Sequence, residues 1–484
     1  MSSLRIAYLS SEVAPFAKTG GLADVALGLP RALGKLGHDV RVFLPYYSGI
    51  EASGQAITSV DVGSFAVNLG GEPIGTSLFS VKLPDSGVTA YLVHCPRYYA
   101  RPQIYTNDPD EPLRFLFFCR AVLESCQRLG FAPHVFHAND WQSALTPLLK
   151  KTLYAWDELF ASARTLLTIH NLAYQGVFPS SVLGAIGLAD SQPFDANDLR
   201  NGEVNFLKTG IVHADGLSTV SPTYASEIQG PEQGYGLDPF LRQRRDRLVG
   251  ILNGVDYREW DPSRDSRIPF HYSSADLSGK TRNKEHLLRR FGLPYSPSVP
   301  LIGMVSRLFY QKGIELLYDA LPTIFGSETV QLIVLGSGEA GYEAFFHGLE
   351  RRFTDRVRFY RGFHDELAHQ IEAAADMFLM PSRYEPCGLN QLYSLRYGTV
   401  PIVRRTGGLA DSVRLFDSVT GEGTGIVFDH FTPDGVVWAL RTAIRLYEDE
   451  PAWSRLVANA MAEDFSWDRL VERYVALYRE LLID

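Results

Sequence analysis

The sequence predicts an α/β protein with two units, each built from a parallel sheet covered by helices. Short apolar runs rich in β-branched residues alternate with helix-length segments, which is the pattern of parallel sheets. The runs form two series, and the segment between them has little strand periodicity. The chain has 484 residues, of which 45% are hydrophobic. This is enough material for about two to three packed domains.

Each series supplies the strands of one predicted sheet. The first series comprises residues 4–9, 40–44, 134–137, 165–169 and 216–220. The second series comprises residues 301–305, 331–335, 357–360, 377–380 and 400–403. Each sheet is therefore expected to receive strands from one half of the chain.

The segment between the two series predicts a domain boundary near residue 255. Residues 256–298 contain Pro and Ser turn signals and few strand signals. Residues 50–110 are rich in Gly and Pro and predict an insertion or meander in the first unit. Residues 467–482 carry apolar side chains near helical spacing and predict an amphipathic helix.

Composition and charge exclude several classes of protein. The net charge of −9 argues against a nucleic-acid partner. The four cysteines (Cys95, Cys119, Cys126 and Cys387) form no CxxC pair and no disulfide framework, which predicts a reducing, cytoplasm-like compartment. No window approaches the ~18 uninterrupted apolar residues of a membrane span, and the apolar run 6–9 is too short for a secretory core. The sequence therefore predicts an unexported chain without a membrane partner.

An internal repeat is the most informative local feature. Thr19-Gly-Gly-Leu-Ala-Asp24 recurs letter for letter at residues 406–411, and a base precedes each copy, Lys18 or Arg405. Consecutive glycines let backbone N–H groups approach an anion, and a helix N-terminus adds a positive dipole end. Two tight turns at helix starts are the structural alternative. The duplication and the flanking bases favour two equivalent anion-binding loops, one in each unit.

Two cations follow the first strand of the second series. Arg307 closes that strand, and Lys312 lies where the next helix is predicted to open. In doubly wound sheets, ligands bind beyond the carboxyl ends of the strands, so both bases could reach a ligand there. Together they would neutralise a diphosphate. For a lone Arg–Lys pair, however, solvated surface charges would be the favoured interpretation.

Residues 336–341 match the GxGxxG fingerprint of dinucleotide-binding proteins and raise a dehydrogenase hypothesis. The next predicted strand, 357–360, ends without a carboxylate for a ribose hydroxyl. The match also follows the second strand of its unit, whereas the fingerprint belongs to the first βα turn. We therefore interpret it as a Gly-rich turn beside a nucleotide.

Polar residues also follow two strands of the first series. His170 and Asn171 follow the strand 165–169, and Asn139-Asp140-Trp141 follows the strand 134–137. An aromatic ring beside hydrogen-bonding groups is a common way to hold a sugar. A single His after a strand is more often structural than catalytic.

The segment 381–391 is the densest polar segment after a predicted buried strand. Its Glu385 precedes a predicted helix start, where the helix dipole stabilises an ionised carboxylate. Cys387 has no thiol or metal-ligand partner at useful spacing, so a nucleophilic role is not predicted. The sequence has no HExxH motif and no Cys/His cluster, and it predicts no metal site.

Taken together, these motifs resemble bacterial glycogen synthases and the related starch synthases. The resemblance runs in order along essentially the whole chain. It rests on Lys18-Thr-Gly-Gly-Leu, His137-Ala-Asn-Asp-Trp141, His170-Asn-Leu-Ala-Tyr-Gln-Gly176, Asn253-Gly-Val-Asp256, Ser306-Arg-Leu, Gln311-Lys-Gly, Glu385-Pro-Cys-Gly-Leu389 and Arg404-Arg-Thr-Gly-Gly-Leu409.

This resemblance implies a fold, a reaction and a location. The fold is the type B glycosyltransferase fold, α/β with two Rossmann-like domains (1–254 and 255–464) facing across a deep cleft. A C-terminal helix (465–484) crosses back to the first domain. The reaction is transfer of glucose from ADP-glucose to the nonreducing end of an α-1,4-glucan, glycogen or starch, with retention and without a metal or other cofactor. The location is the cytoplasm, or a plastid or granule in a starch-making lineage.

The resemblance also implies roles for individual residues. Lys18, the Gly20–Gly21 backbone, Arg307 and Lys312 would contact the diphosphate, and Phe363 the adenine. His170 would lie at the glucose hydroxymethyl group, Glu385 would face the transferred glucose, and Asp140 and Asn253 would lie near the donor sugar. The implied catalytic set is Lys18, Asp140, His170, Arg307, Lys312 and Glu385, and the donor-binding set adds Gly20, Gly21, Asn253, Phe363, Cys387, Gly388, Leu389 and Thr406. Glu12 and Trp141 would lie near the donor or acceptor path.

Two positions bear on how far this resemblance reaches. Many retaining enzymes of this fold have a second glutamate eight positions after the first, where this chain has Tyr393. Position 390 is Asn, as on the starch-synthase side, so a granule-associated role stays open. The sequence also leaves open a UDP-glucose-using enzyme, a phosphorylase-like or different nucleotide-sugar transferase, and a catalytically silent glucan or nucleotide binder.

Overall fold

The computed structural model describes residues 3–54, 56–188 and 193–483. The chain divides into two compact units. The first comprises Met1–Val220, Ala225–Gly254 and Trp467–Asp484, and the second comprises Ser221–Tyr224 and Val255–Ser466.

The first unit is built on a mostly parallel sheet. Its strands are β1 (Arg5–Leu9), β2 (Asp39–Pro45), β3 (Thr58–Ser59), β4 (Phe65–Leu69), β5 (Glu72–Lys82), β6 (Thr89–His94), β7 (Val135–Asn139), β8 (Arg164–Ile169), β9 (Val177–Pro179), β10 (Glu203–Asn205), β11 (Gly216–Thr219) and β12 (Leu248–Gly250). The strand order is β12-β11-β8-β7-β1-β2-β6-β5-β3, with β4 paired to β5, and β9 and β10 form a separate ribbon.

Helices connect these strands. They are α1 (Gly21–Lys35), α2 (Pro96–Tyr99), α3 (Glu111–Arg128), α4 (Asp140–Ser143), α5 (Thr146–Lys151), α6 (Leu183–Ile186), α7 (Ala196–Arg200), α8 (Phe206–His213), α9 (Pro222–Glu227) and α10 (Asp238–Gln243). The central strand β7 is buried at every position, as a parallel strand covered on both faces requires.

The predicted meander at residues 50–110 contains an antiparallel extension of the sheet. β5 pairs antiparallel with β6, and β3 and β4 pair antiparallel with β5. β4 alternates buried and exposed residues, so it covers the core with one face only. The extension lies at the β6 side of the sheet, away from β7 and β8.

The second unit has a wholly parallel sheet. Its strands are β13 (Leu301–Leu308), β14 (Gln331–Gly338), β15 (Val357–Arg361), β16 (Met377–Met380), β17 (Val400–Arg404) and β18 (Ile426–Phe428), in the order β15-β14-β13-β16-β17-β18. Its helices are α11 (Ser278–Arg290), α12 (Leu317–Ser327), α13 (Ala340–Arg352), α14 (Asp365–Ala374), α15 (Asn390–Tyr397), α16 (Gly407–Ser412), α17 (Pro433–Glu448) and α18 (Glu450–Met461). The order reverses between β13 and β16, and ligands of doubly wound sheets bind at such a switch point.

The helix α19 (Trp467–Ile483) completes the first unit, although it follows the second unit in the chain. Its Trp467 packs on Gly28 of α1, where a Cβ would lie 2.0 Å from the indole Nε1. Leu481 packs in the same way on Gly216, at the start of β11. None of the described helices is long and apolar enough to cross a membrane.

The strands of both predicted series are confirmed, with no end shifted by more than three residues. One helix start is wrong, because residues 311–313 do not open the helix after β13. Tyr310–Lys312 form a single 3₁₀ turn that ends at Gly313 (φ 65°), and α12 begins only at Leu317.

Candidate active site

In the first unit, the buried Glu12 organises the first glycine-rich loop. Its carboxylate accepts hydrogen bonds from the Thr19 N–H, from the Thr19 hydroxyl (2.7 Å) and from the Gly20 N–H (3.1 Å). Tyr105 donates a further hydrogen bond to it at 2.7 Å. A charged acceptor with this many donors holds the loop in one conformation.

The loop leads directly into α1. Gly20 is the N-cap residue, and the helix begins at Gly21. Because the Gly20 N–H donates to Glu12, the helical N–H groups from Gly21 onward are the better donors for an anion. Lys18 is 44% exposed, and its ammonium lies 2.7 Å from Asp24 within the first turn of α1.

Asp140 and His170 meet at the carboxyl ends of β7 and β8. The Asp140 carboxylate accepts the His170 N–H at 2.7 Å, and the residue adopts a left-handed backbone (φ 53°). Burial raises the pKa of Asp140 to about 7, although N–H groups of residues 170 and 171 oppose that rise. The negative charge of Glu12 adds to it. Asp140 therefore titrates near neutrality.

Asn139 sets the tautomer of His170, and burial keeps its ring neutral. The Asn139 amide nitrogen donates to the Leu9 and His137 carbonyls at 2.8 and 3.4 Å, so its oxygen is left to accept. His170 Nε2 lies 2.9 Å from that oxygen and must carry the proton. Burial lowers the pKa of His170 to about 3, which keeps the ring neutral. Nδ1 is therefore the hydrogen-bond acceptor of this histidine.

Asn253 is a second polar residue whose position points to a ligand. Its side chain is buried, and its Oδ1 has no hydrogen-bond partner among the described residues. A buried, unsatisfied amide oxygen is destabilising, so a bound hydroxyl would satisfy it.

The motif around residues 137–141 also contains core residues. His137 is fully buried and lies 2.8 Å from the Tyr478 hydroxyl and 2.6 Å from Thr168 Oγ1. Trp141 makes edge-on contacts with Phe115 and Phe178, and a Cβ at Gly176 would lie 2.6 Å from its indole. With 9% of its surface exposed, Trp141 presents no ring face to a sugar. The expectation that this tryptophan holds a sugar face is wrong, because other side chains enclose its ring.

In the second unit, Lys312 and Glu385 form an ion pair. The buried Glu385 carboxylate accepts hydrogen bonds from Lys312 Nζ at 2.6 Å and from the Ser382 hydroxyl at 2.9 Å. α15 begins only at Asn390, so Lys312, rather than a helix dipole, is the positive partner of Glu385. Sequence reasoning missed this pair because its members are 73 positions apart.

Glycines let three loops pack around this ion pair. A Cβ at Gly313 would lie 2.1 Å from the Pro381 carbonyl, and one at Gly407 would lie 1.9 Å from the Glu385 carbonyl. The Gly408 N–H also donates to the Glu385 carbonyl at 3.0 Å. The Lys312 turn, the Glu385 loop and the second copy of the repeat thus form one rigid cluster, in which Cys387 and Thr406 are buried.

The remaining donor-site candidates of this unit lie nearer the surface. Arg307 is exposed, and its guanidinium has no hydrogen bond or ion pair with another described residue. Phe363 is 82% exposed, so its ring is available for stacking. Gly388 has a left-handed backbone (φ 73°), and Leu389 precedes α15.

The Gly-rich segment 336–341 forms less of a turn than expected. Gly336 and Gly338 continue β14, where a Cβ would lie 2.2 Å from the Ser306 and Leu308 carbonyls, respectively. These glycines are explained by the close approach of β13. The expected turn is therefore wrong at Gly336 and Gly338, whereas the position of this segment beside a nucleotide stays a prediction.

In the described part of the chain, no three His, Cys, Asp or Glu side chains are grouped as metal ligands would be. The cysteines of this part are buried and form no disulfide bonds with one another.

Known proteins match the chain over both units. Residues 5–243 match the family described as the starch synthase catalytic domain, and residues 290–460 match glycosyl transferases group 1. The glycogen synthase of Anaeromyxobacter dehalogenans is 46% identical over 484 residues, covering 99% of both chains. Glycogen synthase 2 of Geobacter sulfurreducens is 44% identical over 481 residues, covering 98% of both. The catalytic domain of starch synthase IV from Arabidopsis thaliana, solved with ADP and acarbose, has a TM-score of 0.92 at 35% identity over 100% of both chains.

Two parallel-sheet units with polar residues at their strand ends, matched by these families, define a glycosyltransferase. The match also confirms the predicted two-domain α/β fold. The chain belongs to the family of bacterial glycogen synthases and starch synthases.

Proposed function

We propose that this protein is an α-glucan synthase that transfers glucose from ADP-glucose to the nonreducing end of an α-1,4-glucan. Transfer retains the anomeric configuration and needs no metal ion or other cofactor. The relatives named glycogen synthase favour glycogen as the product. Scattered cysteines that form no disulfide in the described part of the chain favour the cytoplasm as its location.

The Lys312–Glu385 pair is the observation that carries this proposal. The reaction breaks the bond between glucose and the diphosphate of the sugar nucleotide. As it breaks, the sugar becomes cationic and the diphosphate becomes anionic. The Lys312 ammonium suits the departing phosphate, and the Glu385 carboxylate, 2.6 Å away, suits the oxocarbenium-like sugar. Opposite charges held side by side by packed glycine loops match the polarity of that transition state.

Cations stabilise the departing diphosphate in the proposed reaction. In the second unit, Lys312 and the exposed Arg307 have the charge for such a contact, and in the first unit Lys18 and the N-terminus of α1 do. Electrostatic stabilisation of this kind makes a general acid unnecessary for departure. The acceptor hydroxyl would then attack the same face of the sugar within the ion pair.

Neutral groups of the first unit would hold the sugar itself. His170 offers Nδ1 as an acceptor for a glucose hydroxyl, and Asn253 offers its unpaired oxygen. A neutral imidazole is suited to this role, because a cationic ring would repel the developing positive charge of the sugar.

Phe363 supports adenine as the donor base. Its exposed ring can stack on a base, and a purine offers more stacking area than a pyrimidine. We expect a preference for ADP-glucose over UDP-glucose of at least about tenfold in kcat/KM, which needs ~1.4 kcal/mol.

Radiolabelled glucose transfer tests the proposal directly. The purified protein is incubated with glycogen and labelled ADP-glucose or UDP-glucose, each with and without EDTA. We expect label in the precipitated polymer, faster from ADP-glucose and unaffected by EDTA. Glu385→Gln should lose kcat far more than donor affinity, whereas Asp429→Asn, an exposed carboxylate of the same unit, should not.

Each result contradicts a different part of the proposal. Absence of transfer from both donors would favour a silent binder, and a pyridoxal phosphate absorbance band would favour a phosphorylase. Equal use of the two donors would refute only the donor preference. Loss of activity with EDTA, restored by Mg²⁺ or Mn²⁺, would refute the metal-free mechanism.

A further inference from the structure

A basic cavity of about 270 Å³ lies in the first unit, at the amino-terminal edge of its sheet. Arg164 begins β8, Asp215 immediately precedes β11, and Arg247 immediately precedes β12, and these three strands are neighbours. His170 follows the opposite end of β8. At about 3.3 Å per residue, the cavity lies roughly 20 Å from it. The cavity is therefore separate from the candidate active site.

The charges that line the cavity are unbalanced. Its lining contains four cations and one carboxylate (Lys151, Arg164, Arg244, Arg247 and Asp215), a formal charge of +3. Asp215 is already saturated, because its carboxylate lies 2.6 Å from Lys151 Nζ and accepts the N–H and hydroxyl of Thr165 at 2.7 and 2.8 Å. Although burial opposes ionisation, these contacts bring the pKa of Asp215 below its usual value. The Asp215 charge opposes the fall in the pKa of Arg244, but one carboxylate leaves the lining with a net positive charge.

Arg164 lacks a partner for its charge. It is half-buried, and its guanidinium forms no hydrogen bond or ion pair with any other residue that the structure describes. Arg244 donates to the Val212 and Ala214 carbonyls, each at 2.6 Å, which caps α8 without neutralising the guanidinium. Burial, and next the charge of Arg247, lower the pKa of Arg244. Arg164 and Arg244 are thus two half-buried cations in one lining, and an anion bound there would stabilise both.

We propose that this cavity binds a phosphate-type anion, either inorganic phosphate or a small phosphate monoester. A guanidinium binds two phosphate oxygens with a matched fork of N–H donors, and Arg164 has that fork available. Ligand pockets for drug-sized molecules run from about 300 to 1,000 Å³. A pocket of about 270 Å³ has room for a phosphate or a small phosphate ester. Leu481 of α19 also lines it, so an anion bound there contacts the helix that completes this unit.

Calorimetric titration of the full-length protein with inorganic phosphate, at constant ionic strength, tests the site. The variants are Arg164→Gln and Arg247→Gln, and the matched control is Arg245→Gln, an exposed arginine two positions from Arg247 that does not line the cavity. We expect saturable binding that Arg164→Gln and Arg247→Gln each weaken at least about tenfold, as loss of one charged contact of ~1.4 kcal/mol requires. Arg245→Gln should bind like the wild type, and circular dichroism checks that each variant is folded.

Two further measurements distinguish phosphate binding at this pocket from binding at other anion sites. Lys312→Ala removes a candidate active-site cation and should leave unchanged the component of phosphate binding that Arg164→Gln and Arg247→Gln weaken. If Lys312→Ala abolishes phosphate binding and Arg164→Gln does not, the proposal is overturned. The proposal would also be overturned if the heat of phosphate binding did not saturate, or if all variants gave the same titration curve. Competition by glucose 1-phosphate would identify the ligand as an ester, and failure to compete would identify it as free phosphate.

Discussion

The two copies of Thr-Gly-Gly-Leu-Ala-Asp have the same sequence and different structures. In the first copy the helix begins at the third residue, Gly21, and runs for 15 residues. In the second it begins at the second residue, Gly407, and runs for only 6 residues. The sequence interpretation of two equivalent loops is therefore wrong in its geometry.

The copies differ in what holds them. A side chain holds the first, because Glu12 accepts hydrogen bonds from Thr19 and Gly20. Backbone packing holds the second, because Gly407 (φ 43°) lies against the Glu385 carbonyl. Their flanking bases differ too, since Lys18 pairs with Asp24 within its own copy and Arg405 pairs with Asp429 outside it.

The difference teaches that a short motif does not determine its own conformation. Glycine permits several backbone conformations, and the neighbouring segments select one. The first copy presents a helix N-terminus beside a lysine, as an anion site would. The second copy uses its glycines to hold Glu385 in place beside Lys312.

The largest predicted loss of stability and activity should come from adding a methyl group to the backbone of the second copy. Gly407→Ala places a Cβ 1.9 Å from the Glu385 carbonyl at a positive φ. The positive φ alone costs about 1–2 kcal/mol. Calorimetry should show a fall in Tm of at least about 5 °C, with loss of glucose transfer. Gly20→Ala has an extended backbone (φ −157°) and no atom within 4 Å, so its Tm should match the wild type. Equal effects would show that both glycines pack alike.

The next largest effect should distinguish the two flanking bases. Lys18→Ala should lower kcat by roughly 10²-fold, as expected when a transition-state charge contact is removed. Arg405→Ala removes a surface ion pair with Asp429 and should change kcat less than about threefold. The measurement is steady-state kinetics with ADP-glucose at saturating glycogen. If Arg405→Ala lowered kcat more than Lys18→Ala, the anion would instead bind at the second copy.

A smaller effect should separate the carboxylates that support the two copies. Glu12→Gln weakens the hydrogen bonds to Thr19 and Gly20 and should lower kcat/KM roughly tenfold, or ~1.4 kcal/mol. Asp411 accepts the Thr223 N–H and hydroxyl at 2.8 and 2.7 Å, so Asp411→Asn should lower the free energy of unfolding by about 1 kcal/mol. Its kcat should stay unchanged. A kinetic defect in Asp411→Asn would give the second copy a direct role in the reaction.

The smallest effect should be a shift in one pKa. Burial raises the pKa of Asp140 to about 7, and the Glu12 charge contributes to this rise. This raised pKa lowers the free energy of unfolding as pH increases from about 4, where an unfolded Asp ionises, to about 7. Glu12→Gln should move the upper end of that window to lower pH, whereas Asp411→Asn should not. The measurement is Tm against pH, and an unmoved window would show that Glu12 does not act on Asp140.

The strands could be predicted from the sequence because burial on both faces imposes continuous apolar runs. β16 follows that rule throughout, and β7 and β8 follow it except at buried polar positions such as His137 and Thr168. The predicted and observed ends of all three strands agree within a few residues. The length of β14 could not be predicted, because the glycines at its end are typical of a turn. Only the close approach of β13 explains why glycines continue the strand there.

The residues of the candidate site could be proposed from motifs, but their pairing could not. Nothing in the sequence indicates that Glu385 forms an ion pair with Lys312, or that the Asn139 amide sets the tautomer of His170. Both pairs join residues from different strand ends, which only the sheet order brings together. Similarly, the sequence around Trp141 is typical of a sugar platform, and only the fold shows the rings that enclose its indole.

The return of α19 to the first unit sets an order for folding during synthesis. The ribosome must translate residues 255–466 before this helix appears, which at about 5–20 residues per second takes roughly 10–40 s. Throughout that interval, the grooves at Gly28 and Gly216 stay open and His137 lacks its Tyr478 partner. The first unit, although most of it is made earlier, therefore cannot become native until the last helix of the chain has been made.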